Sequence, residues 1–248
     1  MNQFIFPVFL LLVLTLSSTG CARFMELRDR YWPSGPSEYE MEMPRKDIDR
    51  IEKRLAENIY PMDTQLSSLL RRLSVRDDYP SLQWKENLAQ SFTWLNGITV
   101  LDASENILSR YPEEGIKQLD FAPLFPRALD LPLGRTMLEL EDTPLGPEII
   151  LASAVYQDFR IDGLIAVHFD PRSFIADSND PDDIIMICKD RVVWPGQYQD
   201  LQEKLENVHW SELTRKKIRG RVKLDNRDFF WFARAVGQDW IIYLLKVH

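Results

Sequence analysis

Apolar positions follow two different periods along the chain. From Ile48 they recur at steps of three and four, through Ile51, Leu55, Ile59, Met62, Leu66, Leu69 and Leu73. That spacing places them on one stripe of a long helix. Arg50, Lys53, Arg54, Glu57 and Gln65 fall on its other faces. Pro61 lacks the amide proton an interior helical position donates, so the pattern predicts a kink near Tyr60 or two abutting helices, with Asp63-Thr64 capping the second. Such a stripe forms either a seam between two chains or one helix lying along its own domain. The charges are not arranged as paired flanking positions, which favours the second. A shorter helix follows over Leu82–Phe92.

The period then changes to that of strands. Phe92–Leu101 is apolar and rich in β-formers, Asp102–Asn106 is turn-like, and Ile107–Tyr111 returns, which predicts a hairpin. Residues 112–134 are proline-rich and predict loops and short helical turns. Three strands follow, Thr136–Glu141, Glu148–Tyr156 and Gly163–Phe169, and Asp170-Pro171 starts a helix. Ile184–Cys188 and Arg191–Trp194 flank Lys189-Asp190 as a second hairpin, and Leu201–Lys217 is helical or mixed. Val222–Leu224, Phe229–Val236 and Trp240–Val247 close the chain, with turns at Asp225-Asn226 and Gly237-Gln238-Asp239. The last strand is apolar on both alternating sets, so its sheet is expected to be covered on both faces. No internal repeat is visible.

Composition narrows the classes of function. The 248 residues carry 30 Lys+Arg against 38 Asp+Glu, a net charge of −8. This argues against nucleic acid as a partner, because a duplex binder needs clustered basic residues. His168, His209 and His248 are far apart in sequence, no pair has helical spacing, and no metal cofactor is expected. Asp177, Asp180, Asp182 and Asp183 lack the spacing of a calcium loop and read as a solvated turn. No nucleophile motif or phosphate cradle occurs, and Glu139 and Glu141 are a common pairing on a solvated strand. The chain is read as a non-enzyme with no cofactor. Cys188, inside an apolar run, is read as an inert buried thiol.

Phe4–Leu16 is uncharged, and too short to span a bilayer stably. Small residues 17–20 and Cys21 follow. The segment resembles a bacterial lipoprotein signal, although Ser18 stands where leucine is usual and no Lys or Arg precedes the apolar run. The resemblance implies a signal peptide over 1–20, acylation of Cys21 and a tether over 21–44. With Ala22 next, it implies an envelope protein facing the periplasm, at the outer membrane in a Gram-negative source. The lipid then supplies the membrane affinity.

Residues 45–248 resemble a Cache domain, the extracellular relative of the PAS fold. Four stretches carry the likeness: Gly97–Ala103, Ile149–Tyr156, Asp162–Asp170 and Gly237–Ile242. Glu105-Asn106 stands where a turn glycine is usual. The implied fold class is α+β, a long N-terminal helix packed on a central antiparallel sheet. The family binds small molecules between the sheet and the irregular segment after the first hairpin, where Arg or Asp holds charged ligand groups and aromatics wall the site. Carried over by position, the candidates are Arg110, Tyr111, Asp120, Tyr156 and Asp158, with Phe121 beside Asp120. Arg110 suits a carboxylate and Asp158 an ammonium. Each has a plainer reading: Arg110 as a solvated residue, Tyr156 as core, Asp158 as a turn residue. Trp194 either walls the pocket or ends its strand.

The reading is therefore a lipid-anchored sensor-type domain that binds an amino acid, a carboxylate or an amine. The alternative is a structural or interaction lipoprotein that uses helix 48–73 to contact a partner protein or a second copy.

Overall fold

In the computed structural model, residues 50–74, 78–130 and 135–247 are described. The apolar run, Cys21 and the tether lie outside them. The first element is α1 (Arg50–Leu73), one continuous helix with Pro61 inside it. The proline leaves the Glu57 carbonyl without its helical donor, and Asn179 Nδ2 donates to that carbonyl at 3.1 Å. Asp63 does not cap a second helix. It pairs with Arg234. The expected stripe is buried in the chain's own core: Leu55, Ile59, Met62, Leu66, Leu69 and Leu73 are all at most 7% exposed. It is not available as a seam between chains. No helix among the described residues is long and apolar enough to cross a membrane.

Helix α2 (Leu82–Ser91) starts at Ser81, whose hydroxyl accepts from the Trp84 amide. Strand β1 (Gly97–Asp102) begins later than the apolar run suggests. Phe92 and Trp94 precede it as core aromatics, and the Trp94 ring meets Phe169 and Phe174 edge-on at 4.8 Å. After β1 come β2 (Ile107–Tyr111), α3 (Leu124–Asp130), β3 (Met137–Thr143), β4 (Gly146–Gln157), β5 (Arg160–Phe169) and α4 (Pro171–Ile175). Then come β6 (Ile184–Cys188), β7 (Arg191–Trp194), α5 (Gln202–Glu206), α6 (Trp210–Lys216), β8 (Arg219–Leu224), β9 (Arg227–Val236) and β10 (Asp239–Lys246). In the β1–β2 turn Glu105, rather than Asn106, takes the positive φ, of 68°.

The helix-plus-antiparallel architecture is as expected, but the strands are shared between two sheets rather than one. The first has the order β2-β1-β5-β4-β3 and the second β7-β6-β10-β9-β8. Counted from each sheet's own first strand the orders are identical, so the topology repeats although the sequence shows no repeat. In both, the last strand is central and reaches back to the first: β5 pairs β1 and β10 pairs β6.

Each sheet is covered on both faces. The inner faces and α1 share one core cluster, in which Leu66 and Leu69 join Ile149, Leu151 and Val167 of the first sheet and Met186, Ile241 and Tyr243 of the second. Cys188 is fully buried there, and burial pushes its thiol well up. Trp194 also packs on this cluster and donates its Nε1 to the Pro181 carbonyl at 2.9 Å. The outer face of the second sheet lies under Tyr198, Leu201, Leu205 and Trp210. The outer face of the first lies under Phe121, Leu124 and Ala128.

Candidate functional site

The outer face of the first sheet is set by strand register. Gly97, Thr99 and Leu101 of β1 face the same way as His168, Ala166 and Leu164 opposite them on β5. Ile150, Ala152 and Ala154 continue that face on β4, and Arg110 on β2 lies beside Thr99. The small residues let Phe121 and Leu124 settle onto the sheet, so side chains fill most of the hollow expected there. What remains is a cavity of about 20 Å³, the room of about one water, between β1, the end of β2 and residues 112–121. Arg110, Tyr111, Lys117, Phe121 and His168 line it.

Beside the cavity is a buried charge network. Lys117 extends from the irregular cover, its Nζ 2.6 Å from Glu148 Oε2 and 3.1 Å from Asp170 Oδ2. Glu148 is 0% exposed. Its Oε1 accepts from Asn96 Nδ2 at 2.9 Å and lies 2.6 Å from His168 Nδ1. Such a contact with a carboxylate places the proton on Nδ1. Asp170 caps α4, accepting from the Arg172 amide and the Arg172 Nε, both at 2.9 Å.

Burial raises the Glu148 carboxyl, but donation from His168, Lys117 and Asn96 outweighs it, and the group lies below the ordinary glutamate value. At Asp170 the same opposition, burial against Arg172 and Lys117, ends at about 2. Both groups are therefore carboxylates at neutral pH with their oxygens supplied with donors. Gly97 makes room for the imidazole: a Cβ there would sit 2.5 Å from His168 Nε2.

The five residues read from the sequence are not gathered in one place. Arg110 and Tyr111 line the cavity. The Asp120 carboxylate accepts from the Ala122 amide at 3.0 Å and so closes a turn of the cover. Tyr156 is half-buried and packs against the outer cluster at the far end of β4. Asp158 is exposed in the β4–β5 turn, where it and Phe159 have φ of 49° and 62°. Lys117, Glu148 and Asp170 were not singled out as site residues, and His168 read as ordinary. The usable signal was position. Glu148 opens the apolar run of β4 and His168 closes that of β5, and an antiparallel hairpin brings the start of one to the end of the other.

No family model and no curated protein matches the sequence. Solved structures do. An extracellular ligand-binding receptor from Desulfohalobium retbaense superposes with a TM-score of 0.50 at 14% identity, over 78% of this chain and 39% of that one. This chain thus spans about two fifths of that receptor's length. The fold is Cache-like. The ligand-binding domain of the Pseudomonas aeruginosa amino-acid chemoreceptor PctC in complex with GABA matches at a TM-score of 0.48 and 12% identity, over 79% of this chain and 96% of that one. That of PctB from the same organism, in complex with L-Gln, matches at 0.49 and 15%, over 79% and 89%. The cavity lies between the first sheet and the segment after its first hairpin.

Proposed function

We propose that the chain is an extracytoplasmic, lipid-anchored domain of sensor type, which binds a small molecule at the cavity of the first sheet and acts by binding rather than turnover. The observation that carries this reading is the cavity itself: in a Cache-like fold, Arg110, Lys117 and His168 line one small, half-open space. Concave sites with a few converging polar groups on a rigid scaffold are the usual form of small-molecule sites. Because the space holds about one water, a ligand enters with a shift of residues 112–121, whose Phe121 and Lys117 form the wall. The anchor at Cys21 and the periplasm-facing location rest on the resemblance of the N-terminal segment to a lipoprotein signal. The extracellular ligand-binding receptor from Desulfohalobium retbaense shares this fold, which supports the sensor class.

Thermal-shift screening of the full-length chain in non-ionic detergent tests this. A compound that binds the native fold raises the melting temperature by mass action. The reading holds if a carboxylate, amino acid or amine does so in the wild type and loses the effect in Arg110→Gln. It fails if no compound shifts the wild type.

The second reading, an interaction lipoprotein, is favoured by one observation. A groove of about 280 Å³ beside the first half of α1 has the buried Leu55, Ile59 and Phe230 in its floor and Tyr60 and Phe232 at its rim. Tyr60 is 70% exposed there. A Tyr60→Asp variant that loses a partner while keeping the thermal shift would support it.

A further inference from the structure

The net charge of −8 hides one local excess of the opposite sign. Residues 215–223 carry six basic side chains, Arg215, Lys216, Lys217, Arg219, Arg221 and Lys223, and no acidic one. The run passes from the end of α6 into β8, an edge strand of the second sheet. On β8 the register sets Arg219, Arg221 and Lys223 opposite Phe232, Phe230 and Asp228, so strand alternation brings all three to one face. Between the two halves of the run, Ile218 is 55% exposed.

Most of the acids nearby are already paired. Glu52 meets Arg219 at 3.3 Å, Asp225 meets Lys204, and Asp200 meets Arg227 at 2.7 Å. Glu212, one turn before Lys216, and Asp228, across from Lys223, are the ones left beside the run. Lys216, Lys217 and Lys223 are exposed and make no hydrogen bond or ion pair among the described residues.

Solvated lysines are ordinary, and what singles out this run is its place. Arg219 bonds Glu52 in the first turn of α1, so the basic edge lies beside the start of that helix. The chain ahead of it leads back to Cys21, with 28 residues between Cys21 and Arg50. A tether of that length reaches at most about 100 Å, so an anchor alone leaves the height and tilt of the domain over a bilayer unset. It also makes contact between domain and bilayer intramolecular, so a modest patch suffices.

We propose that the junction of α6 and β8 lies on an anionic phospholipid surface, with Lys216, Lys217 and Lys223 at the headgroups and Ile218 in the interface. This goes beyond the ligand-site reading and takes from the anchor reading only the position of the bilayer.

The test is lysine acetylation of the full-length chain, read residue by residue by mass spectrometry. The chain is reconstituted in vesicles of phosphatidylcholine alone or of equimolar phosphatidylcholine and phosphatidylglycerol. Each basic residue near an anionic surface contributes about five-fold to residence there. Acetylation of Lys216, Lys217 and Lys223 is therefore expected to slow about five-fold or more in the anionic vesicles, and to recover at high salt. Lys189, at the β6–β7 turn, is expected to react alike in both. In a Lys216→Gln, Lys217→Gln variant the protection of Lys223 should fall toward its value in neutral vesicles. The melting temperature should not change, because neither lysine has a protein partner to lose. Equal reactivity of the three lysines in the two vesicles overturns the proposal, as does protection of Lys223 that survives in the variant. Protection by duplex DNA without protection by vesicles overturns it too and makes nucleic acid the partner of the patch.

Discussion

Arg127, on the short helix that covers the first sheet, donates through Nη2 to Asp239, the first residue of the last strand of the second. Its Nη1 donates to the Leu138 carbonyl at 2.7 Å and to Glu139 at 2.6 Å, and Lys189 of the second sheet's first hairpin pairs with the other Glu139 oxygen. The cover of the cavity is thereby tied to the other sheet. Any ligand that shifts residues 112–121 pulls on a segment whose far end is held by Asp239.

Arg127→Ala is expected to loosen this tie. The network is half-buried, so the loss of its charged hydrogen bonds costs about 1–2 kcal/mol in a denaturant titration. Hydrogen exchange in peptides spanning 119–130 should accelerate, whereas α1 peptides should not. Acceleration everywhere in proportion would mean that Arg127 only contributes to global stability.

Lys117→Met tests the buried network. Removing the ammonium leaves Glu148 fully buried with two donors and Asp170 with Arg172 alone. Breaking a buried pair from one side costs about 3–5 kcal/mol. The double variant Lys117→Met with Glu148→Met is expected to recover part of that loss, because it removes the uncompensated charge. Equal stability of the single variant and the wild type would show that the pair adds nothing.

Much of the fold was legible from local pattern alone. The α1 stripe has a period that no other element produces, and Asp170 and the Asp225-Asn226 turn act through atoms within a few residues. The division into two sheets was not legible, because β5 and β10 choose their long-range partners by register, and the sequence marks strands without marking neighbours. The repeated topology is hidden for the same reason: strand order repeats while side chains do not. At the site, Arg110 and Tyr111 follow only from the family resemblance, carried over to the end of β2. Glu148 and His168 sat at the borders of apolar runs, where a charged residue reads as the edge of the element. Asp158 follows from the same resemblance, but what its position requires is a backbone conformation.

Acid should expose the network. Asp170 lies at about 2 in the folded chain against an ordinary 3.8, and Glu148 is also lowered. A depressed carboxyl contributes stability that is fully present above its unfolded value and is lost as pH falls through its folded one. Urea midpoints should therefore decline from about pH 4 toward pH 2. Asp170→Asn should lower the midpoint at pH 6 and flatten that acid limb. An acid limb of unchanged depth in Asp170→Asn would place its origin in other carboxylates.

The β4–β5 turn offers a change in the opposite direction. Asp158 and Phe159 form a two-residue hairpin loop with φ of 49° and 62°, the left-handed pair such loops require. Aspartate tolerates this conformation, but a phenylalanine sets its Cβ against the following carbonyl, at about 1–2 kcal/mol. The ring recovers nothing by packing, since Phe159 is 93% exposed. Phe159→Gly removes the clash but adds backbone entropy to the unfolded chain, which takes back roughly half of the gain. The expected net result is stabilisation by about 0.5–1 kcal/mol, read as a higher urea midpoint with an unchanged slope. Destabilisation would mean that the exposed ring is held by a contact in the assembled protein, and cross-linking from a photoreactive residue at 159 would then identify its partner.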